Sequence, residues 1–174
     1  MSKRSLGLIV GAALVAGLAG TALAQQPAAP APAVPEQMPF DIPYGTPITL
    51  EHAKHLVAAA EAEARKHNWK MNIAVVGPAG DLIYFERMDG AQYASIDIAQ
   101  HKARAAATFR RETKVFEEGV DGGHPYLLTL DGIIASRGGF PLVQAGKLIG
   151  AIGCSGGIGS QDAATCQAGA ELVK

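Results

Sequence analysis

The stretch that most constrains this chain is Gly138–Cys166. Leu142-Val143-Gln144 and Lys147–Gly153 flank Ala145-Gly146, so the segment reads as strand, tight turn, strand. A glycine bend, Ser155–Gly159, follows, and then a helix that Ser160 can cap. Two strands joined by so short a turn pair antiparallel. The stretch also contains Gly153-Cys154-Ser155-Gly156-Gly157, a serine-hydrolase pattern by letter. A hydrolase nucleophile elbow needs a parallel α/β sheet, with an acid and a histidine following the serine. Asp162 follows Ser155, but no histidine does; the last is His124. The bend therefore reads as structure, or as an anion seat, since free backbone N–H groups ahead of a helix attract a carboxylate or phosphate.

The first segment has the form of an export signal. Lys3 and Arg4 supply positive charge, Leu6–Leu18 is apolar, and Ala22-Leu23-Ala24 is an A-x-A cleavage site. The apolar run is short for a membrane span. The expectation is a signal peptide over residues 1–24 and a soluble periplasmic or secreted protein. Residues 25–47 carry Pro27, Pro30, Pro32, Pro35, Pro39, Pro43 and Pro47, which deny a helix and favour extended backbone. This is a Pro/Ala-rich linker, or an arm with Met38, Phe40, Ile42 and Tyr44 to bury. Residues 48–174 have the size of one domain. A formal net charge of −1 without a basic cluster argues against nucleic acid as partner.

Within that domain, Thr49–Asn68 reads as a helix capped by Thr49. Met71–Val76 and Asp81–Arg87 read as a hairpin around Gly77-Pro78-Ala79-Gly80. Tyr93–Arg110 is a second helix, Glu112–Gly119 a short third, and Ser160–Val173 a fourth. Leu127–Ser136 could supply a short edge strand. Hairpins with helices between them argue for an antiparallel α+β layer fold. The first hairpin needs the closing one as its partner, because a lone hairpin is not stable. Cys154 and Cys166 are the only cysteines. In an exported chain they could form a disulfide, or stay as two buried thiols.

Asp81-Leu82, Arg87–Ala91, Ser95, Ala99–Ala103, Gly138–Pro141, Gly146–Gly156 and Gln161-Asp162 form an ordered set. This set closely resembles the GlcG/HbpS family of haem-binding or haem-degrading proteins, over nearly all of the domain from Ile48 onward. The resemblance implies a profilin-like sandwich, with a five-stranded antiparallel sheet and helices on both faces. It also implies a homo-oligomer and a haem or other tetrapyrrole ligand, with redox sensing among the family's roles. The chain has no Cys-x-x-Cys-His motif, so a bound haem would be non-covalent. It lacks a Glu-x-x-Glu iron pattern too. Some haem-binding relatives carry a histidine shortly after the Asp-Gly-Ala segment; here Ala91–Gln100 has none.

The ligand-binding candidates are Arg87, Asp89, Tyr93, Ser95, Lys102 and Ser155. Ser95 and Lys102 are seven apart, two turns along one helix flank. With Arg87 and Asp89 they could enclose an anion such as a propionate or an organic acid. The alternatives are a local Arg87–Asp89 ion pair, and Lys102 as a base in an enzyme acting on a small organic acid. The candidate iron ligands are His52 and His55, off the apolar stripe of the first helix, and Tyr93. The imidazoles could equally be plain surface. His101 lies opposite its helix's core stripe and is expected in solvent, and His124 matches no standard metal spacing. A third possibility is a ligand-free oligomeric interaction module. No residue is assigned a catalytic role.

Overall fold

The computed structural model describes residues 34–173. The expected signal peptide and the first part of the proline-rich stretch lie outside the described residues. Helix α1 spans Leu50–Lys66, and the Thr49 hydroxyl accepts from the His52 backbone N–H as its cap. Its apolar stripe buries Ala53, Leu56, Val57, Ala60 and Ala64. Strands β1 (Asn72–Val76) and β2 (Leu82–Arg87) form the first hairpin, and β3 (Gly139–Gln144) and β4 (Lys147–Ser155) the second. Between them run α2 (Ala94–Thr108), α3 (Lys114–Asp121) and a short 3-10 turn (Pro125–Thr129). Helix α4 (Gly159–Ala170) closes the order.

The two hairpins join through β1 and β4 into one antiparallel sheet, ordered β2-β1-β4-β3. The alternation of strand side chains sets the layers. Ile73, Val75, Ile152 and Cys154 face α1 and α4, with Leu56, Val57 and Cys166. Fully burying a Leu56 or Val57 side chain contributes about 1.5–3 kcal/mol. Ala74, Val76 and Ala151 face α2, which answers with Ala99, Ala103, Ala106 and Ala107. Both helix and sheet are stripped of bulk here, and a Cβ at Gly153 would overlap the backbone of Ala99 and Ala103. Helices therefore cover both faces of the sheet.

The resemblance implied five strands, but the described residues form four. The shortfall matches Leu127–Ser136, read as a possible edge strand. Pro125 starts a 3-10 turn there, and Asp131-Gly132 breaks the run with Gly132 at φ +81°. The outer edge of β3 is blunted instead: Thr113 bonds both backbone groups of Gly139, and Pro141 has no N–H to offer.

Cys154 and Cys166 are joined as a disulfide, with Cα atoms 5.5 Å apart, tying β4 to α4. Residues of the proline-rich stretch lie on their own chain. Gly45 N–H donates to the Leu148 carbonyl at 2.7 Å, and Leu148 N–H to the Pro43 carbonyl at 2.8 Å. Arg110 donates to the Ile42 carbonyl at 2.9 Å, and the Arg111 guanidinium lies 3.8 Å from the Phe40 ring centre. Among the described residues no helix is long and apolar enough to cross a membrane.

Candidate functional site

The candidates divide into a buried network and a surface group. Asn72 pairs in register with Arg87 on one side and Ser155 on the other, so these three form one row across the sheet. The first turn of α2 lies against this row. Ser155 donates to the Ser95 hydroxyl at 3.0 Å, and the Gln92 amide donates to the same oxygen at 2.8 Å. The Asn72 amide nitrogen donates to the Gln92 carbonyl at 3.2 Å. The Asn72 carbonyl oxygen is buried without a partner, a cost of about 1–3 kcal/mol unless a water fills it.

Two turns along α2, Lys102 leaves the row. Its ammonium donates to Asp162 Oδ2 at 2.7 Å, with side-chain exposures of 1% and 4%. Asp162 Oδ1 accepts from the backbone N–H groups of Gly156 and Gly157, each at 3.0 Å. The anion seat read from the glycine bend is therefore real in geometry but filled by the chain's own carboxylate. Gln161 holds the next N–H, that of Ile158, at 3.0 Å, so Ser160 is not the cap but sits inside the helix. Gly138 covers the pair: a Cβ there would lie 2.9 Å from Asp162 Cβ and 3.2 Å from the ammonium. No imidazole is bonded to Ser155, whose hydroxyl is committed to Ser95.

Arg87 and Asp89 are exposed and do not join Ser95 and Lys102 in one pocket. Arg87 donates to the Ala91 carbonyl at 3.4 Å and lies over the Tyr93 ring at 5.0 Å; Tyr93 is 78% exposed. The four-residue pocket fails because Lys102 points to Asp162, across the end of the sheet, where a counter-charge lowers the cost of its burial. Asn72, Gln92 and Asp162 are the residues that sequence reasoning missed. An asparagine in an otherwise apolar strand, and an acid just inside a helix after two glycines, are the signals that could have found them.

At the start of β3, Glu117 of α3 accepts from the Arg137 backbone N–H and side-chain Nε, both at 2.7 Å. The Arg137 bonds hold the Glu117 carboxyl below its ordinary range against partial desolvation, with Lys102 a weaker contributor. Above this pair a cavity of about 490 Å³ opens between β3, α3 and α4, lined by Lys114, Arg137, Ser160 and Gln167 among others. It contains none of the candidate iron ligands.

A haem needs an axial ligand, apolar walls and cations for its propionates. His52 is half-buried and His55 exposed on the outer turns of α1. Neither they nor Tyr93 line any of the main cavities. Donor chemistry is thus present at these residues, while a single chain supplies no walls around them. The one imidazole that lines such a cavity is His101, beside Arg104, in a groove of about 490 Å³ on the far side of α2. Among the described residues no three His, Cys, Asp or Glu side chains cluster as a metal site.

Comparison with known proteins fits this frame. Protein GlcG of Escherichia coli K12 is 40% identical over 108 residues, which is 62% of this chain and 81% of that protein. The solved Klebsiella pneumoniae protein ORFY superposes with a TM-score of 0.69 at 28% identity, covering 80% of this chain and 96% of the other. A double mutant of HbpS from Streptomyces reticuli superposes with a TM-score of 0.69 at 29% identity, covering 83% and 99%. The family model described as "Haem degrading protein HbpS-like" matches residues 48–171. That match spans the whole layered body from the N-cap of α1 to the end of α4, and the chain belongs to the HbpS-like family.

Proposed function

We propose that this chain is an exported haem- or tetrapyrrole-binding protein, holding its ligand non-covalently in a homo-oligomer of profilin-like sandwiches. The observation that carries the reading is the family match over residues 48–171, whose description concerns haem. Both cysteines are spent in a disulfide, which fits an oxidising compartment and leaves no thiol to tether a tetrapyrrole. His52, His55 and Tyr93 are the proposed iron ligands, with Arg87 near Tyr93 as a partner for a propionate. Because a single chain leaves them uncovered, ligation there calls for a second copy to wall the ligand. Strand β2 is the other sheet edge, and its half-exposed Ile83, Tyr84 and Phe85 suit self-association. The enzymic reading is less well supported, because Lys102 is buried against Asp162 rather than presented to a substrate.

The test is a haemin titration of the mature protein, followed by absorbance. A saturable, shifted Soret band at one haem per chain, or per pair of chains, supports the reading. A spectrum equal to free haemin at every protein concentration removes it.

A further inference from the structure

We propose that the cavity between β3, α3 and α4 binds a small dipolar molecule, with a carboxylate at one end, an amine at the other and a short apolar spacer between them. The site holds none of the candidate iron ligands, and the proposal does not depend on the tetrapyrrole reading. Its volume, about 490 Å³, is that of a small-molecule site. One wall is a stripe of α4, in which Ser160, Ala163, Ala164, Gln167, Ala170 and Glu171 recur at three- and four-residue spacing on one helix face. The floor is the start of β3, where Gly138 and Gly139 add no side chain and Phe140 is half-buried. Glu112, Lys114 and Arg137 complete the lining.

The charges along this cavity are sorted. Arg137 stands at the start of α4, where a Cβ on Gly159 would lie 3.0 Å from its Cγ. Lys114 lies one turn before Glu117, the partner of Arg137. Glu171 follows the last turn of α4, about 16 Å along the helix axis from Ser160. Each of these groups has bonding capacity to spare. Arg137 gives Nε and Nη2 to Glu117, and its Nη1 has no partner among the described residues. The Lys114 ammonium meets Glu118 at 3.3 Å, with both side chains about half in solvent, and such a pair is weak enough to yield. Glu171 accepts from Gln167 with Oε1 and keeps Oε2. The Glu112 carboxylate has no ion-pair partner among the described residues. An ion of one sign would therefore be attracted at one end of the cavity and repelled at the other, whereas a dipolar guest is matched at both. Between the ends, Ala163, Ala164 and Ala170 offer an apolar surface for methylene groups.

The experiment is an NMR titration of the isotope-labelled mature protein with ε-aminocaproate, and with caproate and hexylamine as probes that each lack one of its charges. Backbone amide shifts locate the binding. The expected result is a saturable shift with ε-aminocaproate at Gly138, Gly139, Ala163 and Ala164, and about tenfold or more weaker binding of each singly charged probe. Lys114→Ala weakens ε-aminocaproate and caproate but not hexylamine, and Glu171→Gln weakens ε-aminocaproate and hexylamine but not caproate. Ala164 is exposed, and leucine is also a good helix former, so Ala164→Leu fills the groove without disturbing the core and weakens all three probes. The amide spectrum of each variant without probe confirms that it is folded. No saturable shift at these four residues with ε-aminocaproate overturns the proposal. So does equal affinity for caproate or hexylamine, or binding that Ala164→Leu leaves intact.

Discussion

A lysine side chain at 1% exposure with a carboxylate at 4% is a costly object, and it needs a reason. Removing two charges from water is repaid only when the geometry is good and the leftover lone pairs are satisfied. Here Asp162 meets the ammonium with one oxygen and two backbone N–H groups with the other. It neutralises α2 and closes the bend ahead of α4 in one stroke. Asp162→Asn keeps the shape but leaves Lys102 buried without a counter-charge. It should destabilise by about 3–5 kcal/mol in urea unfolding. Adding Lys102→Met to it should recover part of that loss, since the pair is then removed as a whole. A single variant within about 1 kcal/mol of wild type would mean that the fold does not depend on this pair. Sequence periodicity placed Ser95 and Lys102 on one flank correctly. It could not say what faced them, because a helix pattern reports a direction and not the partner arriving from an element 60 residues away.

The elements were the most legible level, because each is set by local chemistry. The hairpin β3–β4 was readable from Ala145-Gly146 alone, and both residues have positive φ, +48° and +75°. That geometry suits Gly146 but strains the Cβ of Ala145, by about 1–2 kcal/mol. Asparagine tolerates the left-handed region, and Asn-Gly is the preferred pair for such a turn. Ala145→Asn should therefore stabilise by about 0.5–1 kcal/mol, seen as a melting point a few degrees higher. An unchanged or lower melting point would show that the turn carries no such strain. The level failed where pattern and turn chemistry conflicted. Leu127, Leu128 and Leu130 look like a strand by composition, but Pro125 before them and Asp131-Gly132 after them leave no extended run. Seating α2 was also beyond local reading. That Gly153 and Gly139 receive its backbone is a fact of two distant segments meeting.

At the scale of the molecule, two ion pairs tie together elements distant in sequence. Lys102–Asp162 ties α2 to α4, and Glu117–Arg137 ties α3 to the start of β3. The second pair is half in solvent and responds to pH. Arg137 holds the Glu117 carboxyl below its ordinary range in the folded state. The unfolded chain has no such partner, and its glutamate titrates near pH 4.3. Stability from this pair is thus fully present above about pH 4.3 and is lost as pH falls through the lower folded value. Glu117→Gln keeps an acceptor but removes the charge. The variant should be less stable than wild type by about 1 kcal/mol at pH 7, discounted for its partial exposure. The gap should narrow as pH drops below about 4 and close once the wild-type Glu117 carboxyl is protonated in the folded state as well. Urea midpoints for the two proteins across pH 7 to 2.5 would show the curves converging. Parallel curves over that range would mean that Glu117 gains nothing from Arg137 in the fold, and that α3 is held to β3 by the Thr113–Gly139 bonds alone.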